Sequence, residues 1–207
     1  MSTLKTTALR HPSSGSDNIV LNSSGGVVVG GVSSSGGGNT IQEILTRPCD
    51  GGTVTSANGT LTYQNVTGVQ QLTTSYVDVT GSSITYQPPA GTHTVIYRFC
   101  LHITETDADA ISHYKFFIGG TEVLYARHTH RADNYQNRAI FEWPIKIGGS
   151  ADTNTGARAN WNSALVLKMQ ARDYTSSYDM KLHVTNHWDG SGTDMFSMPT
   201  LTLTAIG

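Results

Sequence analysis

The sequence predicts an all-β protein, a jelly-roll-like antiparallel β-sandwich head preceded by an extended N-terminal arm. Three observations lead there. Hydrophobic residues make up 37% of the 207 residues and charged residues only 14%, so the polar weight falls on Gly, Ser, Thr and Asn, which favour short strands and turns over helices. From Ile41 onward, β-rich runs recur between turn signals, with no amphipathic stretch of ten or more residues at helical spacing. Every Trp, Tyr and Phe lies at or after Tyr63, and large aromatics supply much of a core.

These facts divide the chain into an arm, residues 1–40, and a head, residues 41–207. The arm holds 9 Ser and 8 Gly, with only Lys5, Arg10 and Asp17 charged. Its Ser/Gly runs are linker-like in isolation, and such a segment takes a fixed path when a partner holds it, so it reads as an anchor. Ile19, Val20 and Leu21, and then Val27, Val28 and Val29, are the two apolar pieces that would supply the grip, as added strands.

In the head, the clearest strand is 92–103, where Val95, Tyr97, Phe99, Leu101 and Ile103 alternate with Thr94, Arg98 and His102. That period of two marks a half-buried strand. Similar runs cover 76–80, 83–87, 113–118, 122–130, 140–147, 164–172, 178–186 and 200–206. Ile118-Gly119-Gly120-Thr121 predicts a hairpin, because both glycines can take positive φ, and so 113–118 should pair antiparallel with 122–130. Thr40-Ile41-Gln42-Glu43 has the form of a helix capping box; a strand leading out of the arm is the preferred reading of this short pattern. About ten strands with polar turns imply two packed sheets.

Composition also excludes several function classes. A formal net charge of −2 gives no footprint for nucleic acid. No apolar run approaches the roughly 18 residues that span a bilayer, and the N-terminus lacks the apolar core of a signal peptide, so no membrane insertion is expected and synthesis is read as cytoplasmic. Cys49 and Cys100 have no metal-type spacing and are read as reduced thiols. His128 and His130 share a side of one strand, but no third ligand stands at a recognisable spacing, and no metal and no cofactor are expected. Glu105-Thr106-Asp107-Ala108-Asp109 lacks the glycine and closing glutamate of a calcium loop and reads as a solvated connection. With no nucleophile elbow and no paired acid and base, the chain is not expected to be an enzyme. Trp161-Asn162 and Trp188-Asp189 set aromatic plates beside short polar groups in loops, the composition of a sugar-binding surface, and are the candidate contacts for a host surface glycan.

The stretch from Val77 through Gly81-Ser82-Ser83-Ile84-Thr85-Tyr86-Gln87-Pro88-Pro89-Ala90-Gly91 to Phe99 resembles structural proteins of marine tailed phages, in particular cyanophage fibre and capsid-decoration proteins. Further pieces fit the same pattern: His113-Tyr114-Lys115-Phe116-Phe117-Ile118-Gly119-Gly120-Thr121-Glu122-Val123, Lys168-Met169-Gln170-Ala171-Arg172, Met180-Lys181-Leu182-His183, the closing Pro199 to Gly207, and Leu4 to Pro12 in the arm. The resemblance implies a protein of the virion surface, a homotrimer with a jelly-roll head similar to the tumour-necrosis-factor and C1q class, in contact with other capsid or tail proteins. In that trimer Tyr97, Phe99, Tyr114 and Phe116 would be divided between sandwich core and subunit interface. The expected function is a short fibre, knob or decoration protein docked through its arm, with a lectin-like receptor-binding module as the alternative.

Overall fold

The computed structural model describes residues 8–9, 19–21, 27–28, 40–105, 110–131, 137–187 and 193–207. The chain divides into two compact units, Met1–Asn39 and Thr40–Gly207. In the first, β1 (Ala8–Leu9), β2 (Ile19–Leu21) and β3 (Val27–Val28) form a three-stranded antiparallel sheet in which Leu9 pairs with Ile19, and Val20 with Val28. The apolar pieces expected to grip a partner thus pair with each other, while Val29 lies outside the described residues.

The second unit opens with β4 (Ile41–Pro48), β5 (Thr53–Ser56), β6 (Gly59–Thr62), β7 (Gln70–Gln71), β8 (Val77–Asp78) and β9 (Ile84–Tyr86). The long central strands follow: β10 (Thr94–Glu105), β11 (Ile111–Ile118), β12 (Thr121–Arg131), β13 (Asn137–Lys146) and β14 (Leu165–Asp173). It closes with β15 (Met180–Leu182), β16 (Val184–His187), β17 (Thr193–Phe196) and β18 (Thr200–Ile206). The fold is an all-β sandwich of curled antiparallel sheets. One sheet runs β4, β18, β10, β13, with β15 and β7 continuing beside β10 beyond the end of β18; the other runs β12, β11, β14, with β8 and β9 on the far edge of β14.

Alternation along β10 builds the core. Val95, Tyr97, Phe99, Leu101 and Ile103 are all nearly inaccessible to solvent and meet Leu201, Leu203 and Ile145 of their own sheet. Across the sandwich, Tyr97 packs on Phe116 with ring centroids 4.8 Å apart, and Tyr114, Ile118, Leu167 and Met169 complete the opposing layer. Each such side chain, fully buried, contributes about 1.5–3 kcal/mol. The Tyr97 hydroxyl is not stranded there, since it donates to Ser82 O at 2.6 Å.

Local signals resolve as the pairing energetics dictate. The capping box at Thr40 yields to β4, which pairs along its length with β18, Leu45 opposite Leu203; a ladder on a sheet edge outweighs one marginal turn of helix. The glycine turn forms as expected, with φ +58° at Gly119 and +84° at Gly120, and joins β11 to β12 antiparallel. Inside that hairpin the register slips between Tyr114 and Phe116, and Tyr125 N in the bulged segment bonds instead to Asn154 O at 2.9 Å.

The run 178–186 does not form one strand. It breaks at His183, whose φ of +64° turns the chain out of the first sheet, so that β15 pairs with β10 while β16 pairs with β17. The break is fixed by main-chain bonds on both sides of the residue: His183 N donates to His102 O and Ser197 N donates to His183 O, each at 2.8 Å. At the boundary of the unit, Thr40 N donates to Gly207 O at 2.8 Å and Gly207 N to Thr40 O at 2.9 Å.

Candidate functional site

The structure redistributes the residues that sequence patterns single out. Tyr97, Phe99 and Phe116 are fully buried and Tyr114 is 2% exposed, all within the core of a single chain. None of them is available to a subunit interface, because the two-sheet sandwich consumes both aromatic faces. Trp161 is likewise buried, 6% exposed, its ring edge-to-face with Tyr86 at 6.0 Å. It plugs the sandwich instead of presenting a plate, while Asn162 beside it is exposed. Trp188, Asp189 and the carboxylates of Asp107 and Asp109 lie outside the described residues. His128 stacks on Tyr114 at 4.7 Å and on Phe141 at 5.5 Å. Among the described residues no group of three His, Cys, Asp or Glu is arranged to hold a metal. Cys49 and Cys100 are both free thiols; burial pushes Cys49 up to about 12.

The two outer sheet faces differ in chemistry. On the β12–β11–β14 face Glu122 takes Lys115 at 3.2 Å and also Arg127, Asp78 takes Lys168 at 2.9 Å, Lys115 sits 4.4 Å above the Tyr76 ring, and Arg172 donates to Asp173 O at 3.1 Å. The outer face of the first sheet carries two uncharged rows, with Arg138, whose Nε donates to Cys100 Sγ at 2.9 Å, and Lys146 toward the two ends of β13. One row across four strands reads Ile44, Thr204, Ile96, Pro144, and another reads Pro48, Thr200, Cys100, Ile140. The row between them carries a 2.7 Å bond joining the Thr46 and Thr202 hydroxyls, and an ion pair, Arg98 to Glu142, at 3.6 Å. Ile44 and Ile140 are 55% and 49% exposed.

A second surface feature is a groove of about 470 Å³ between β6 and β9, floored by Leu61 and Ile84 and walled by Thr60, Thr62, Gln64, Ser83, Thr85 and Gln87. It adjoins a cleft of about 400 Å³ that shares Asn58 and Gln87 and ends at Trp161 and Asn162. Neither is lined by an ionisable side chain. The groove lies between two strand edges with unused main-chain groups. Gly119 N bonds Val166 O at 2.8 Å, so Leu165 and Leu167 carry the β14 bonds to Tyr86 and Ile84, and the N–H and C=O of Thr85 point away from β14 into the groove. On the other wall Tyr63 N bonds Gly52 O at 3.0 Å, which by alternation turns the backbone groups of Thr60 and Thr62 away from β5. Side-chain amides bridge the two ends: Gln64 Oε1 accepts from Ser83 N at 3.0 Å, and Asn58 Nδ2 donates to Pro88 O at 2.7 Å. Nothing in composition pointed to β5 and β6; the threonines that alternate through 53–62 are their faint signature.

Two buried titratable groups sit behind these surfaces. Asp173 is 2% exposed with Oδ1 unpartnered, and burial, helped by the nearby Asp179 charge, raises its carboxyl to about 6. His183 is fully buried; its Nε2 lies 2.9 Å from Thr80 Oγ1, and burial lowers it to about 4.

No protein-family model matches the chain, and no curated protein matches it. Among solved structures it is similar to that of the infectious bursal disease virus Gx strain, at a TM-score of 0.36 and 13% identity, over 78% of this chain and 31% of that one. The chain therefore spans about a third of the length of the chain it matches.

Proposed function

We propose that the protein is a non-enzymatic virion structural protein, a short fibre, knob or capsid-decoration protein that docks through residues 1–40 and assembles on the virion surface as a homotrimer of β-sandwich heads. The phage-like motifs that run from Val77 to Gly207 support the class. The observation that carries the assembly reading is the open outer face of β4, β18, β10 and β13, where rows of threonine, isoleucine and proline flank the Arg98–Glu142 ion pair, with Arg138 and Lys146 toward the two ends of β13. The charges in the central row are already matched to each other within the chain and the two rows beside it are uncharged, so a second copy can cover these three rows without stranding an unpaired ion among them. The second sheet, where Lys115 and Arg127 pair with Glu122 and Lys168 with Asp78, would then face outward.

The test joins solution mass to particle incorporation. Light scattering of the full chain at micromolar concentration is expected to give three times the chain mass, and Ile44→Lys with Ile96→Lys is expected to give a folded monomer that no longer joins particles. A monomeric parent chain would overturn the trimer. A folded chain missing from purified particles, by mass spectrometry and immuno-electron microscopy, would overturn the virion role.

A further inference from the structure

We infer that the groove between β6 and β9 is a binding site for a neutral oligosaccharide. Its walls offer what sugar hydroxyls need: groups that can both give and accept hydrogen bonds, at short reach from a fixed backbone. The side chains of Thr60, Thr62 and Thr85 and the outward backbone groups of the same three residues have no hydrogen-bond partner among the described residues, and Gln64 uses only its oxygen. Six polar main-chain groups on two rigid strands stand ready, and an unsatisfied group in a concave wall gains more from a ligand than one on open surface.

The absence of ionised side chains in this groove and the cleft beside it selects the ligand class. A sialylated, sulfated or phosphorylated glycan would bring a charge that no lysine, arginine or histidine there would meet. An extended peptide is the other occupant that free strand edges invite. Yet the Gln64 bridge to Ser83 and the Asn58 bridge to Pro88 close both ends of the groove, and a strand running through would have to break them, whereas a sugar ring seated between them leaves both intact. The adjoining cleft, with Asn160 and Asn162 exposed on its rim, extends the same uncharged lining and gives room for further residues of the chain. Trp161 serves this site from beneath, as a wall packed on Tyr86, and not as a stacking plate.

The probes are immobilised neutral trisaccharides of glucose, galactose, mannose and N-acetylhexosamine, with sialylated and sulfated forms of the same cores, offered to the full chain. At least one neutral series is expected to bind saturably, with its acidic counterparts weaker by about tenfold or more and with an affinity that added salt leaves unchanged. Thr62→Arg and Thr85→Arg, both at exposed positions, are expected to lower that affinity by about tenfold with melting unchanged, and Gln64→Ala to lower it while leaving trimer mass intact. No neutral glycan bound, undiminished binding in the arginine variants, or a preference for acidic glycans would each overturn the inference. Capture of an extended peptide that the arginine variants abolish, without sugar binding, would also overturn it. Because trimer mass and particle incorporation are read separately, these outcomes do not bear on the virion role.

Discussion

Replacing Asp173 by Asn should make the protein markedly more stable at neutral pH and, at the same time, more sensitive to acid. The carboxyl is held at about 6 against an ordinary 3.8 because it is buried opposite Ser112 on β11 with Oδ1 unpaired. Once ionised in both folded and unfolded chains, it costs at most about 3 kcal/mol, at about 1.4 kcal/mol per pH unit. Its sign is that of a raised acid: the folded state binds the extra proton between about 6 and 3.8, so stability falls as pH rises through that window. His183 acts oppositely. Lowered from 6.5 to about 4, it leaves the unfolded state with the extra proton in that range, and stability falls by about 3 kcal/mol as pH drops from 6.5 to 4. In the parent the two nearly cancel. Urea denaturation at pH 7 and pH 4 should therefore show Asp173→Asn gaining up to about 3 kcal/mol at pH 7 and almost nothing at pH 4. His183→Asn, which tolerates the left-handed backbone, should instead be less stable than its parent at pH 7 by more than it is at pH 4. If Asp173→Asn changes stability equally at both pH values, the burial argument is refuted.

Three further outcomes follow from the packing. Trp161→Ala should destabilise by about 3–5 kcal/mol in thermal or chemical unfolding, as expected of a buried plug. Gly156→Ala should cost about 1–3 kcal/mol by the same measurement, since its φ of +78° disfavours a side chain and the new Cβ would lie 2.8 Å from Ile118 Cδ1. In a thiol titration with a chromogenic disulfide, the native protein should expose Cys100 alone, and Cys49, buried against Gly81 O at 3.2 Å, should react only after denaturation.

How much of this was legible in the chain depends on the range of the interaction concerned. The Gly119-Gly120 turn and the alternation of 92–103 could be read directly, because a two-residue turn and a period of two are local properties. The break at His183 could not, since Met180-Lys181-Leu182-His183-Val184 alternates like any strand; what bends it is a pair of main-chain bonds to His102 and Ser197, remote in sequence. Trp161 looked like a displayed loop aromatic because loop composition does not say which side of the loop faces the core. The same holds for Tyr97, Phe99, Tyr114 and Phe116: periodicity places them on one face of each strand, but only the meeting of the two sheets decides that the face is interior. The β6–β9 groove was hidden for the converse reason, as its polarity comes from two segments remote in sequence, 56–64 and 83–87, of which the first carries only a faint threonine alternation.

The reciprocal bonds between Thr40 and Gly207 make the order of strands in the head less binding than its linear numbering suggests. Position 40 and position 207 are already neighbours, so a short glycine linker could join them and the ring so formed could be reopened elsewhere. The turn at Gly148-Gly149 is a natural place, with positive φ at both glycines and open space around each. Such a rearranged head would keep every strand pairing while moving its chain ends, and with them any attached tether, to the turn between β13 and β14. Tether position would then be an independent variable, adjustable without touching a core side chain.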